Sequence, residues 1–192
     1  MTQLCSDEEL DALMQEIQPD DGVGMEPLDR MIASFPQDPR LHFLRGSMLA
    51  SIGRPIEALA ALRMAVDLGP DFAIARFQLG FFYLTSGEPA AALESWGPLA
   101  LLPHDHYLRS FVAGLTYLIR DEFTEALKHL GAGIAANEEN PPLNRDMQVI
   151  VDQVSELVAR QGDPADADAD GGGASATSFL LDQLGAGGGR AN

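Results

Sequence analysis

The chain has 192 residues, 46% of them hydrophobic, and a formal net charge of -17. That size and apolar content suit one sizeable domain, or a domain with tails. The acidity repels phosphate backbones and anionic bilayers, and no basic stripe offsets it, so nucleic acid is excluded as a partner class and membrane insertion is not expected.

The charge is uneven. Residues 1–38 hold ten acids and one base, Arg30, and residues 161–192 hold five acids and Arg190. The middle, 39–160, is nearly balanced, with fourteen acids and ten bases. A single cysteine, Cys5, rules out an internal disulfide and a cysteine metal cluster. The start MTQLCSDEELD has neither the basic residues nor the apolar run of a signal peptide, and no stretch approaches a membrane span. A cytoplasmic location is the expectation. Eleven of the twelve bases are Arg, a usage that suggests GC-rich bacterial coding.

In chain order, Ser6 and Glu9 form a capping-box pattern ahead of Leu10, Leu13, Met14 and Ile17, which predicts a short acidic amphipathic helix over 7–18. Asp20–Gly24 then breaks the chain. Residues 25–35, MEPLDRMIASF, predict a further helix. From residue 39 a 34-residue step takes over. It links Phe43, Phe77 and Phe111; Gly46, Gly80 and Gly114; Leu49, Tyr83 and Tyr117; Gly53, Gly87 and Asp121; Ala58, Ala92 and Ala126; Leu62, Trp96 and Leu130. Each unit reads as two helices, the first over 39–52, 73–86 and 107–120, the second over 55–68, 89–102 and 123–136. Pro55 and Pro89 fit the first turn of a helix. Small residues in the Gly and Ala columns let paired helices approach, and the column of Leu62, Trp96 and Leu130 is expected to fill space between neighbouring pairs. Residues 142–160 predict a closing helix with apolar Leu143, Met147, Ile150, Val154 and Leu157. The segment 162–176, GDPADADADGGGASA, is low-complexity, and an apolar island, SFLLDQL, follows at 178–184.

The step, the Gly and Ala columns, the aromatic column and the closing Pro70 resemble the tetratricopeptide repeat (TPR) family over about 39–138. The resemblance implies an all-α fold of three stacked helix-turn-helix repeats, an α-solenoid, with partial capping helices at 25–35 and 142–160. The repeat domain is then 25–160, flanked by an acidic helix and linker at 1–24 and an Ala/Asp/Gly-rich tail at 161–192. The sequence departs from the family's pattern at His42, Arg76 and Ser110, where tryptophan is common, and at Gly133, where alanine is usual and weaker local packing is expected.

In this family the first helix of each unit lines the concave side. By that pattern the peptide-binding residues would be Phe43 and Ser47, with Arg40 and Ala50 beside them; then Ile74, Phe77, Phe81 and Leu84; then Leu108, Phe111, Leu115 and Leu118. The family's chaperone-adaptor branch grips terminal carboxylates with a cationic clamp, but the matching slots here hold Phe43, Ser47, Gln78, Leu108 and Val112, and no cation. An apolar groove would instead take an amphipathic helix or an extended segment with apolar anchors, with affinity on the order of micromolar. Aromatic residues at helical spacing also serve as core, and that reading stays open. So do filling of the groove by the N-terminal helix or the tail island, and a homodimer sealed by the same surface.

Little points to chemistry. His104-Asp105-His106 lacks a further ligand nearby, and the tail glycines lack the strand and Lys of a phosphate loop. Cys5 is expected near a mobile N-terminus, beside acids that disfavour its thiolate. No metal, cofactor or catalytic residue is expected. The function expected is a non-enzymatic protein-interaction module, an adaptor or assembly factor. The alternative is a dedicated chaperone of a secreted or membrane-inserting client, similar in plan to the type III secretion translocator chaperones.

Overall fold

A computed structural model describes residues 4–17 and 25–161. The linker at 20–24 and the tail from 162 onward, with its island 178–184, lie outside the described residues. Among the described residues the regular structure is all helical. In order come α1 (Asp7–Glu16), α2 (Met25–Ser34), α3 (Pro39–Ser51), α4 (Pro55–Leu68), α5 (Ala73–Thr85), α6 (Pro89–Trp96), a 3-10 segment (Gly97–Leu101), α7 (Tyr107–Ile119), α8 (Phe123–Ala136) and α9 (Pro141–Gln161).

The helix ends follow local chemistry. The Ser6 hydroxyl accepts the Glu9 N–H at 3.2 Å and the Glu9 carboxylate accepts the Ser6 N–H at 2.7 Å, a complete capping box. Prolines open α3, α4 and α6, where their missing N–H costs nothing. Between α3 and α4, Gly53 takes φ +73°; the same turn falls at Gly87 with φ +79° and at Asp121 with φ +58°. These three sites are one repeat step apart. Each carries the same pair of closing bonds: Arg54 N–H to Leu49 C=O with Gly53 N–H to Ala50 C=O, Glu88 to Tyr83 with Gly87 to Leu84, and Glu122 to Tyr117 with Asp121 to Leu118. This is the Schellman geometry, which satisfies helix-end carbonyls through one left-handed residue. The second helix of the middle unit differs. Pro98 cannot donate to the carbonyl four residues back, so α6 stops at Trp96 and the chain tightens into the 3-10 segment.

The described chain forms two compact units, with the division inside α5 at residues 82 and 83. In the first unit α3 and α4 pair closely and α2 packs on α3. The approach depends on Gly46: a Cβ there would lie 2.7 Å from the Leu62 side chain and 3.2 Å from its backbone nitrogen. A second cluster gathers Cys5 and Leu13 with Leu28 and Leu41, so α1 is seated on α2 and α3. In the second unit α7 and α8 pair in the same way, with Leu130 as close to Gly114 as Leu62 is to Gly46. Leu62 and Leu130 thus fill the interior of their own helix pair, and the expectation that this column fills space between pairs is corrected for them. α9 packs on α8 through Leu143, Met147, Ile150 and Val154, all buried. An asparagine knot holds their junction. Asn137, 4% exposed, donates to the Asn144 side chain and the Asn140 carbonyl and accepts the Asn140 N–H.

Candidate functional site

The ten residues expected to line a peptide channel divide by burial. Phe77, Leu84, Leu108, Phe111, Leu115 and Leu118 are each 0–1% exposed, so they offer no surface to a partner. The expectation of an open channel through these six positions is corrected: they are interior. Phe111 shows why. Its ring lies where a Cβ on Gly133 of α8 would sit, and it meets Tyr107 edge-on at 5.8 Å between centroids. Gly133 is therefore a socket for an aromatic ring, not the weak point that its departure from the family pattern suggested. A helix apolar on two faces, such as α7, is here buried on both.

The remaining four, Phe43, Ser47, Ile74 and Phe81, are half-buried, and all lie in the first unit. Phe43 and Ser47 are one turn apart on α3. Phe43 meets Phe72, ahead of α5, edge-on at 5.5 Å. On α5, Phe81 stacks on the buried Phe77 with centroids 6.2 Å apart. Each aromatic ring thus has a ring neighbour within the fold, which restricts it and lowers the entropy it would lose on binding.

Sequence reasoning missed the polar centre at the start of α3. Asp38 is fully buried, and every bond it makes has a purpose. One oxygen accepts the Arg40 N–H and Nε–H, both at 3.0 Å; the other accepts Arg40 Nη2–H at 2.7 Å and both the Cys5 N–H and Sγ–H at 3.1 Å. Arg40 continues outward, from Nη2 to the Cys5 carbonyl at 2.6 Å and from Nη1 to Asp7 at 2.8 Å. Arg40 is thus engaged in this network, contrary to its expected place in the channel. Cys5 is 3% exposed and held by Asp38, which corrects the expectation that it lies near a mobile N-terminus. Burial, reinforced by the bond to Asp38, pushes the thiol up to about 11 from 9.0. Burial also pulls the Asp38 carboxyl upward, but the hydrogen bonds from Arg40 and Cys5 outweigh it and hold the group at about 2. The signal available in the sequence was Asp38-Pro39, an N-cap residue followed by Pro.

A shallow cleft of about 300 Å³ opens between α3 and α4, floored by Leu49, Ala60, Ala61 and Met64, with His42, Arg45 and Glu57 at its edges. Its charges are compensated by neighbours, Arg45 by Asp29 at 3.5 Å and Glu57 by Arg54. His106 is a structural residue: its Nδ1 accepts the Leu108 N–H at 3.2 Å and so caps α7. Among the described residues no cluster of three or more His, Cys, Asp or Glu is placed to hold a metal ion, and no helix is long and apolar enough to cross a membrane. In comparison with known proteins, the chain matches no family model and no curated protein.

Proposed function

We propose that this chain is a non-enzymatic protein-interaction module, an adaptor or assembly factor, built of tetratricopeptide-like repeats. The observation that carries the reading is the recurrence of one left-handed turn, with one pair of closing hydrogen bonds, at Gly53, Gly87 and Asp121. It is joined by the matching helix pairs α3–α4 and α7–α8, whose starts and ends are each offset by two repeat steps. Repeated helix pairs of this kind cannot bury their apolar faces singly, and stacking gives them extended surfaces whose use is binding.

The binding face is assigned to the half-buried residues Phe43, Ser47, Ile74 and Phe81 of the first unit, and the partner to a segment with apolar anchors. One buried Leu or Phe anchor contributes roughly 1.5–3 kcal/mol before ordering costs. Ser47→Arg with Ile74→Arg places two charges on this face, while their stems still cover the apolar surface below. Capture of partners from a native lysate is compared between wild type and this variant, after circular dichroism establishes equal helix content. A partner lost with the variant supports the assignment; equal capture refutes it. The alternative is a dedicated chaperone of an apolar client. It requires that the captured protein form a stoichiometric complex and precipitate without this chain.

A further inference from the structure

α1 is a helix that completes a buried apolar cluster while burying few residues of its own. Of its own residues only Leu13 is buried, with Leu10 and the adjoining Ile17 partly so, whereas Met14 stands half out in solvent. The face beneath is made by α2 and α3, with Leu28 and Leu41 at its centre and Met31, Phe35, Leu44 and Met48 packed around them. This face also carries one cation at each end of α1. Arg40 meets Asp7 at 2.8 Å, before the first turn ends, and Arg30 meets Glu16, the last residue of the helix, at 3.5 Å. Asp7 and Glu16 are nine residues apart, roughly 13 Å along a helix axis. The face therefore reads three features of its occupant: an acid at the start, apolar residues at the spacing of Leu10, Leu13 and Ile17, and an acid about two and a half turns later.

We propose that the α2–α3 face is an interaction site for an acidic amphipathic helix of a partner protein, and that α1 is its built-in competitor. The proposal rests on the interaction-module reading and adds a second surface with its own regulation. The buried polar anchor of α1 is the Asp38–Arg40 pair, which holds Cys5 and Asp7, and the Arg30–Glu16 pair at the other end is solvent-exposed. Release of α1 breaks that knot and the exposed Arg30–Glu16 pair, uncovers one apolar strip and leaves the Gly46–Leu62 contact of the α3–α4 pair in place. A segment of few buried contacts opens at lower free energy than the fold as a whole. A partner helix of the same chemistry then replaces α1 contact for contact, at the cost of competing with a tethered ligand.

Cys5, the only thiol in the chain, reports the opening, because it is buried when α1 is seated. In the full chain without denaturant, a thiol reagent is expected to label Cys5 at least about tenfold faster than global unfolding permits, at a rate nearly independent of low urea. Labelling that tracks global unfolding overturns the proposal. The second arm uses a synthetic peptide of residues 1–18, kept reduced, added to full-length protein. Leu13→Asp unseats the chain's own helix, so the peptide is expected to bind this variant at least about tenfold more tightly than wild type. Replacing Asp7 and Glu16 of the peptide by Lys is expected to weaken binding about fivefold or more, as two modest ion pairs become repulsive. Equal binding to wild type and Leu13→Asp, or indifference to the charge reversal, overturns it. A concentration-dependent wild-type dimer abolished by Leu13→Asp would place a second copy's α1 on the face and overturn a heterologous partner. These readouts do not involve Ser47 or Ile74, so failure here is distinguishable from failure of the Phe43–Ile74 assignment, and the reverse holds.

Discussion

The Phe111 ring occupies the space that a side chain on Gly133 would need. Two residues earlier on the same helix, Gly131 is exposed and a Cβ there would meet nothing within 4 Å. The pair makes an internal control. Gly131→Ala gains helix propensity and loses nothing, and is expected to stabilise by about 1 kcal/mol. Gly133→Ala gains the same propensity but forces a fully buried ring to move, an overpacking cost of about 1–3 kcal/mol. It is expected to be neutral at best and destabilising by about 2 kcal/mol at worst. Urea unfolding of the two variants gives the comparison; stabilisation of equal size in both would remove the socket role of Gly133.

The close approach of Gly46 to Leu62 and of Gly114 to Leu130 supports a second prediction. At both positions the nearest obstacles include backbone nitrogen, at 3.2 Å and 3.0 Å, as well as the Leu side chain. A side chain can rotate away, but backbone crowding separates the helices. Gly46→Ala and Gly114→Ala are each expected to destabilise by about 2 kcal/mol despite better helix propensity. Thermal unfolding followed by circular dichroism checks this, and an unchanged midpoint for either variant contradicts the shared geometry of the two pairs.

How much was legible in the sequence follows from what each residue type constrains. Helix starts were readable because proline at the first turn is a local requirement, and several ends because a left-handed residue follows them; the structure starts α3, α4 and α6 at Pro39, Pro55 and Pro89, but ends α6 at Trp96, short of the expected 102. Even Asp121 could be assigned a turn, since period alone placed it with two glycines. Which face of a helix is covered is not local. Phe43, Phe77 and Phe111 hold the same repeat position, yet Phe77 and Phe111 are interior and Phe43 is half-buried, and the room Gly133 leaves for the Phe111 ring lies 22 residues further along the chain. The Asp38 centre was hidden for a similar reason. Cys5 and Arg40 are 35 residues apart, and nothing in either neighbourhood announces the other.

Asp38→Asn tests that centre. Asparagine retains an oxygen to cap α3 but removes the anion that Arg40 and Cys5 surround. Breaking a buried ion pair from one side costs about 3–5 kcal/mol, reduced here because Arg40 is partly solvated; about 2 kcal/mol is expected. The loss is confined to the seating of α1, so Cys5 labelling accelerates while α7–α8 helix signal persists. The carboxyl's folded pKa lies below its unfolded value, so its contribution is complete above about 3.8 and is lost as pH falls towards about 2. Asp38→Asn should lack this acid limb. A wild-type stability profile matching the variant's between pH 4 and 2 would contradict the assignment.

The alkaline side isolates Cys5. Its thiol is raised from 9.0 to about 11 in the fold, because burial and the Asp38 carboxylate both oppose a second negative charge. A group whose folded pKa lies above its unfolded one stabilises fully below the unfolded value, and that stability drains as pH rises through the folded value. Wild-type stability is therefore expected to fall between about pH 9 and 11 by on the order of 2 kcal/mol from this thiol alone. Tyr107 is also raised, by burial and by Glu139, and its titration falls on the same limb. Cys5→Ser removes the thiol while its hydroxyl can still donate to Asp38, so the difference between the two proteins isolates Cys5 from Tyr107. Urea midpoints from pH 8 to 11 should converge for Cys5→Ser and wild type at the low end and separate at the high end, with the serine variant the more stable. Parallel curves would mean that the thiol is ionised as easily in the folded chain as in the unfolded one, which a sulfur donating to a buried carboxylate does not allow.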